Sequence, residues 1–335
     1  MISTCVLKWR KGLILELRRT AIDLLKIYAE KNVRRNALSK EYDQFSSAFS
    51  KARAAGVDVN SYCKRNRTVL VPKVKGEIVY GTYPVLEAFR AKRRRIYKAF
   101  IKASVLGRTK RDDNIAKQIL RLANDVGVEV KTLSADQLDV LTDYQIHNGL
   151  CIDATPLTYE QLGDEHISAA NIFLYLDRVL DPGNIGAIVR SCFYFDIDGV
   201  IMARDLGPKT PTPAMSKASA GALERFPIYN IEEFASFHER MRNIGFKFIG
   251  TADENSAVAK GYQSPIRLCD FRQTKDKTVV ILGDEGRGVS SEILDQCDYI
   301  VQIPSPKKEY AECSVKSLNV SVSAAILLYY LSIKK

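Results

Sequence analysis

Leu176-Asp177-Arg178-Val179-Leu180-Asp181-Pro182-Gly183-Asn184-Ile185-Gly186-Ala187-Ile188-Val189-Arg190 follows directly on an apolar run that begins at Ile172, and this junction decides the fold class. A short apolar run stopped by Pro and Gly, then Ile185, Ile188 and Val189 at helical spacing, reads as a strand turning into a helix. Pro182 and Gly183 make the turn, Asn184 is placed to cap the helix, and Arg190 follows about one and a half turns later.

The same alternation repeats outward from this point. Further strands are expected at Gly199 to Ala203, Phe246 to Thr251, Val279 to Leu282 and Tyr299 to Ile303. Helices are expected at Ile185 to Phe195, Pro213 to Leu223, Ile231 to Asn243, Ser291 to Gln296 and Ser317 to Leu331. Such βα alternation implies a mostly parallel sheet covered on both faces, with ligand chemistry at the strand ends. Upstream, Ile78 to Tyr80, Pro84 to Ala91, Tyr97 to Val105, Asn114 to Val126 and Val128 to Leu133 alternate in the same way and form a smaller α/β unit. Turn residues Thr155, Pro156 and Gly163 separate the two. The expected plan is a basic extension over 1–75, a small α/β domain over 76–155, a linker over 156–168 and the larger domain over 169–335.

The chain has 335 residues, 46% of them hydrophobic, and a formal charge of +11. Met1 to Lys75 holds 17 basic and 6 acidic residues, so the whole excess lies there and the remainder balances. The high pI is therefore no evidence that the folded body binds nucleic acid; local patches must supply that. Lys8, Arg10, Lys11, Arg18 and Arg19 alternate with Leu13, Leu17, Leu24 and Tyr28 in an amphipathic basic helix of the mitochondrial targeting type, although Glu16, Asp23 and Glu30 are acidic for one. An ordinary surface helix of a cytosolic protein is the alternative. No apolar run approaches the roughly 18–20 residues of a membrane span. Seven scattered cysteines without a C-x-x-C pair, and three histidines, suggest neither a metal site nor a disulfide framework, but buried thiols in a reducing compartment.

Two further junctions match the first in character. Ile281-Leu282-Gly283-Asp284-Glu285-Gly286-Arg287-Gly288 puts three glycines after a strand, where a ligand could approach the backbone closely. Ile303-Pro304 is followed by Ser317-Leu318-Asn319-Val320-Ser321, a helix start rich in capping groups. Neither glycine cluster has dinucleotide-fold spacing or the Lys-Ser/Thr of a phosphate loop, which disfavours a dehydrogenase or NTPase. Geometry alone could account for any one of the three.

Together and in this order, D-P-x-N-x-G-x-x-x-R, G-x-E-x-x-G, and I-P with S-L-N-V-S resemble the SpoU-type RNA ribose methyltransferases, the TrmH group of trefoil-knotted enzymes. The resemblance covers Ile172 to Leu331. Tyr80-Gly81-Thr82-Tyr83-Pro84-Val85-Leu86-Glu87-Ala88 and His147-Asn148-Gly149 resemble the ends of the L30-like RNA-binding domain that often precedes it. A departure is Ser305 to Lys316, a longer charged loop than the family pattern has.

The resemblance implies a trefoil-knotted α/β methyltransferase domain behind an L30-like domain, with S-adenosylmethionine as cofactor and no metal. It implies that Arg190 sits at the reacting ribose 2'-hydroxyl with Asn184, Glu285 and Asn319 holding the constellation, and that the backbone around Gly283, Ile303 and Leu318 cradles the cofactor. Arg90, Lys92, Arg93, Arg94, Arg95 and Lys98, with Tyr97 and Phe100 among them, are the densest basic cluster outside the leader and are expected to meet RNA phosphates. Leader and domain order resemble the mitochondrial rRNA methyltransferases within the family. The expected protein is a matrix homodimer, not membrane-bound, that methylates a guanosine ribose in large-subunit rRNA. A tRNA guanosine 2'-O-methyltransferase and a catalytically silent RNA-binding assembly factor are the alternatives.

Overall fold

A computed structural model describes residues 69–105, 109–272, 276–284, 286–305 and 317–333. The expected targeting segment, Glu285 and the charged loop beyond Ser305 lie outside the described residues. Lys73–Leu138 and Gln145–Lys335 make one compact unit; the described part of the other is 69–72 with Asp139–Tyr144.

The first part of the large unit is a four-stranded sheet in the order β1-β4-β2-β3: β1 Glu77–Tyr80, β2 Ile96–Lys102, β3 Glu129–Leu133 and β4 Leu150–Ala154. Helices α1 (Thr82–Ala91) and α2 (Lys110–Asp125) cover it through Val85, Phe89, Ile119 and Ala123, packed on Val79, Ile101 and Ile152. Strand β4, antiparallel to both β1 and β2, has no counterpart in the sequence expectation. Its Asp153 is fully buried and accepts the N–H groups of Lys75 and Gly76 at 2.8 Å each, which fixes where the chain enters the sheet.

An eight-stranded, wholly parallel sheet follows, with β5 Glu160–Gln161, β6 Ile172–Asp177, β7 Gly199–Ala203, β8 Ile228–Ile231, β9 Lys247–Thr251, β10 Ile266–Arg267, β11 Thr278–Gly283 and β12 Tyr299–Gln302. Their spatial order is β10-β12-β9-β11-β6-β7-β8-β5. All six residues of β6 are buried because both faces are covered. Ile172, Leu174 and Leu176 enter one core with α5 (Pro182–Tyr194) and α10 (Val320–Ile333). Phe173 and Tyr175 enter the other with α7 (Phe234–Asn243) and α9 (Ser291–Leu294). Strand β11 lies between β6 and β9, so the chain reverses its direction of sheet-building there; in parallel sheets such a switch point opens a crevice at the strand ends.

Several expected boundaries move. Residues 156–168, read as a linker, include β5 and the start of α4 (Asp164–Ala169), anchored by buried Leu157, Leu162 and Ile167. The helix expected over 213–223 is α6 (Pro213–Ala218), broken by Ala220 at φ 52° and Gly221 at φ 86° before a short 3₁₀ turn at Ala222–Glu224. Ile231 ends β8 rather than opening a helix.

Candidate active site

Strand register sets the geometry at the carboxyl edge of the sheet. Asp177 pairs with Gly283, and Thr251 at the end of β9 pairs with Val301. The ends of β6, β11, β9 and β12 are therefore level, and the β11 and β12 ends lie about 10 Å apart, two strand spacings. Asp177 is buried, and its Oδ2 accepts the N–H of Ser290 at 2.8 Å and Arg178 Nη2 at 3.1 Å, tying the loop after β11 to β6.

That loop closes on itself. A Cβ on Gly283 would stand 2.1 Å from the carbonyl carbon of Gly288 and 2.2 Å from the Val289 nitrogen. Gly288, at φ 66°, donates to the Asp284 carbonyl at 2.8 Å, and Asp284 Oδ2 accepts from the backbone of Gly286 and Arg287. Gly283 is thus required by the return of its own loop, where the sequence suggested close approach of a ligand.

Asp181, not Asn184, caps α5: its side chain accepts the Asn184 N–H at 2.7 Å, and Pro182 takes the first helical turn, where no donor is missed. The cap leaves the Asn184 side chain available for a different partner. Asn319 Nδ2 donates to Asn184 Oδ1 at 3.0 Å across 135 residues of chain. Asn319 Oδ1 in turn accepts the N–H of Ser321 at 2.8 Å and its hydroxyl at 2.5 Å, so one amide both caps α10 and joins it to α5.

Arg190 is exposed and has no ion-pair partner among the described residues; in particular it does not pair with Asp181. It lines a hollow with Ala187, Ser191, Ala218, Ser321 and Tyr329. Asn184 lies on the same helical stripe as Ala187 and Ser191, about 9 Å along the axis from Arg190. The first and third junctions therefore meet at one place. Ser191 and Ser321 were not singled out from sequence; spacing of one residue from Arg190 and two from Asn319 was the available signal. Ile303 is half-buried against the core, and Leu318 is 47% exposed beside Asn319.

The basic cluster divides. The Arg94 side chain is fully buried and bonded to Glu77 and Glu224, so it cannot meet RNA, which corrects the sequence expectation. Arg93 donates to the carbonyls of Leu223 and Phe226 and pairs with Glu160. Arg90 pairs with Glu87, and Lys98 lies 3.5 Å from Glu129. Exposed Lys92 and Arg95 have no carboxylate partner among the described residues, and Arg95 stands over the Tyr97 ring at 5.7 Å.

Burial pushes the thiols of Cys151 and Cys297 up to about 12, and that of Cys192 further, so none is a thiolate nucleophile. Cys269, against expectation, is exposed. Among the described residues no group of three His, Cys, Asp or Glu could hold a metal, and no helix is long and apolar enough to cross a membrane.

A model of the SpoU rRNA Methylase family matches residues 171–329, and one described as RNA 2'-O ribose methyltransferase substrate binding matches residues 78–160. The chain is 30% identical to human rRNA methyltransferase 1, mitochondrial, over 78% of its own length and 73% of that protein's. To the Saccharomyces cerevisiae protein of the same name it is 27% identical, over 75% and 68%. Among solved structures, the SpoU methyltransferase AviRb from Streptomyces viridochromogenes in complex with AdoMet superposes with a TM-score of 0.57 at 21% identity, covering 77% of this chain and 89% of that one. An AdoMet-bound rRNA methyltransferase from Sinorhizobium meliloti gives 0.58 at 16%, covering 77% and 87%.

Proposed function

The chain belongs to the SpoU rRNA methylase family, and from that premise we propose that it transfers a methyl group from S-adenosylmethionine to a guanosine ribose 2'-hydroxyl in mitochondrial large-subunit rRNA. The observation that carries the site is the Asn319–Asn184 hydrogen bond, which brings two distant junctions together beside Arg190. Family membership and two AdoMet-bound neighbours support the cofactor; human and yeast relatives named mitochondrial support the compartment.

The residues present fit the cofactor. At the sheet edge the ends of β11 and β12 offer backbone groups, and Leu318 and Ile303 offer apolar surface. Backbone groups beside apolar surface suit an adenosine. In this reading the chain after β12 threads a loop to form the trefoil knot, and residues 76–155 form the L30-like substrate domain. When bound, the cofactor supplies a methyl group activated by a sulfonium. Arg190, with no carboxylate partner among the described residues, faces the open hollow, where its guanidinium donates to the developing alkoxide and the adjacent phosphate and does not serve as the base. Asn184 and Asn319 hold α5 and α10 so that Arg190 stays aimed, with Glu285 completing the set. Lys92 and Arg95 contribute phosphate contacts.

The test is labelled methyl transfer from S-adenosylmethionine to large-subunit rRNA and to tRNA, with 2'-O-methyl positions mapped. Methylation of a guanosine ribose in the rRNA, lost in Arg190→Lys, is the expected result. Exclusive labelling of tRNA would move the substrate; no labelling of either, with RNA still bound, would leave a silent assembly factor.

A further inference from the structure

The second arginine of Arg93-Arg94-Arg95 belongs to the substrate domain by sequence and to the catalytic domain by its bonds. Arg94 Nε and Nη2 donate to the two carboxylate oxygens of Glu224 at 2.7 and 3.0 Å in a bidentate fork, and Nη1 donates to Glu77 at 2.5 Å and to the Thr155 carbonyl at 2.9 Å. The side chains of Arg94 and Glu224 are both fully buried. Arg93 clasps the same segment through the carbonyls of Leu223 and Phe226.

This segment is a strut. Gly221, at φ 86°, lets it approach α1 so closely that a Cβ there would lie 2.8 Å from the Tyr83 carbonyl oxygen. On its other side, the Ser216 hydroxyl of α6 donates to Glu224 Oε1 at 2.7 Å. Helix α6 lies directly on α5, where a Cβ on Gly186 would meet the Met215 carbonyl oxygen at 2.5 Å. The connection therefore runs from the substrate sheet through Arg94, Glu224, Ser216 and Gly186 to the helix that carries Arg190.

Burying a guanidinium and a carboxylate costs desolvation that an apolar pair would avoid, so such a pair is weak evidence for stability and better evidence for a fixed geometry. We infer that Arg94 is a positioning residue for methyl transfer: it locks the substrate domain to the α6–α5 wall, so that RNA held by the first is presented to Arg190 in one register. This rests on the proposed role of Arg190. Misplacement of a reacting group by about 1 Å can cost on the order of 100-fold in rate, so loosening this lock acts on turnover, not on capture.

The experiment compares full-length wild type, Arg94→Lys and Ser216→Ala. Lysine keeps the charge but cannot make the fork. For Arg94→Lys, affinity for a large-subunit rRNA transcript and for S-adenosylmethionine stays unchanged, while the single-turnover rate at saturating RNA falls by about 10- to 100-fold. Ser216→Ala, which leaves the Arg94–Glu224 pair intact, shows a smaller loss of the same kind and serves alone should the lysine variant not fold. Fluorophores at exposed Val126 and Ile244, one on each domain, report the lock without substrate: a narrow distance distribution in wild type broadens in either variant. Unchanged rates, a rate loss explained wholly by weaker RNA binding, or an unchanged distance distribution would overturn the proposal. A wild type inactive on RNA would sink the methyltransferase reading instead, and the distance measurement would still judge Arg94.

Discussion

Arg94 and Arg95 are neighbours with opposite fates: one is buried between two carboxylates, the other is exposed over Tyr97. Alternation of side chains as the chain enters β2 puts them on opposite sides, but a run of four basic residues carries no sign of which points inward. Composition therefore placed the cluster and could not sort it. The sorting has a measurable consequence. Replacing Lys92 and Arg95 by Ala should weaken RNA binding and reduce the slope of log affinity against log salt by roughly 0.7–0.9 for each phosphate no longer neutralised. A slope equal to wild type in a salt titration would remove both from the interface. Asn319 makes a finer point. Asn319→Asp keeps the oxygen that caps α10 but turns the donor facing Asn184 into an acceptor, forfeiting a hydrogen bond worth about 1 kcal/mol. A folded protein with kcat reduced and cofactor affinity retained is the expected outcome of steady-state kinetics. Wild-type kcat would show that the Asn184 interaction is incidental.

Elements were legible where local signals agreed. The β6–turn–α5 junction has a continuous apolar run, Pro at the first helical turn and a helical stripe, and all three survive in the structure. The cap alone was misassigned, because Asp181 and Asn184 are both good capping residues and only backbone geometry separates them. Strand β8 was missed since Ile228-Tyr229-Asn230-Ile231 is short and runs straight into an acidic, helix-like stretch. The break after α6 was only half legible: Gly221 is a helix-stop residue, but Ala220 beside it adopts a left-handed conformation that its side chain does not advertise. Gly186 is the test of how α5 and α6 fit. Alanine is favoured over glycine within a helix by about 1 kcal/mol. Here its Cβ would press on the Met215 carbonyl oxygen and on Ala218 Cβ, at 2.5 and 2.6 Å, and overpacking of that kind costs about 1–3 kcal/mol. Gly186→Ala should therefore lower Tm by a few degrees and slow turnover, because α6 borders the hollow of Arg190. A raised Tm in calorimetry would mean that the two helices separate without cost.

At the scale of the whole molecule, the last helix carries the expectation of a homodimer. Helix α10 is apolar on every side: Ala324, Leu327, Leu328 and Leu331 are buried against the sheet, while Val322, Ile326 and Tyr329 remain 46%, 36% and 56% exposed. Tyr194, at the end of α5, is 81% exposed beside them. A helix without a polar face is stable in water only when both sides are covered, and a contiguous apolar patch of this kind marks an association surface. The hollow of Arg190 opens on the same surface, through Ser321, Val322 and Tyr329. The homodimer expected for this chain would use this face and bring a second copy to the edge of the active site. Full burial of an aliphatic or aromatic side chain contributes about 1.5–3 kcal/mol, so covering these half-exposed residues would contribute part of that for each one toward the cost of association. Ile326→Glu combined with Tyr329→Glu places two carboxylates in that interface, and each must then be desolvated or keep the subunits apart. Light scattering should show wild-type dimer and variant monomer with the same circular dichroism, and the monomer should lose methyl transfer even though neither side chain bears a reacting group. A monomeric wild type, or a variant that still dimerises, would place the partner of α10 elsewhere.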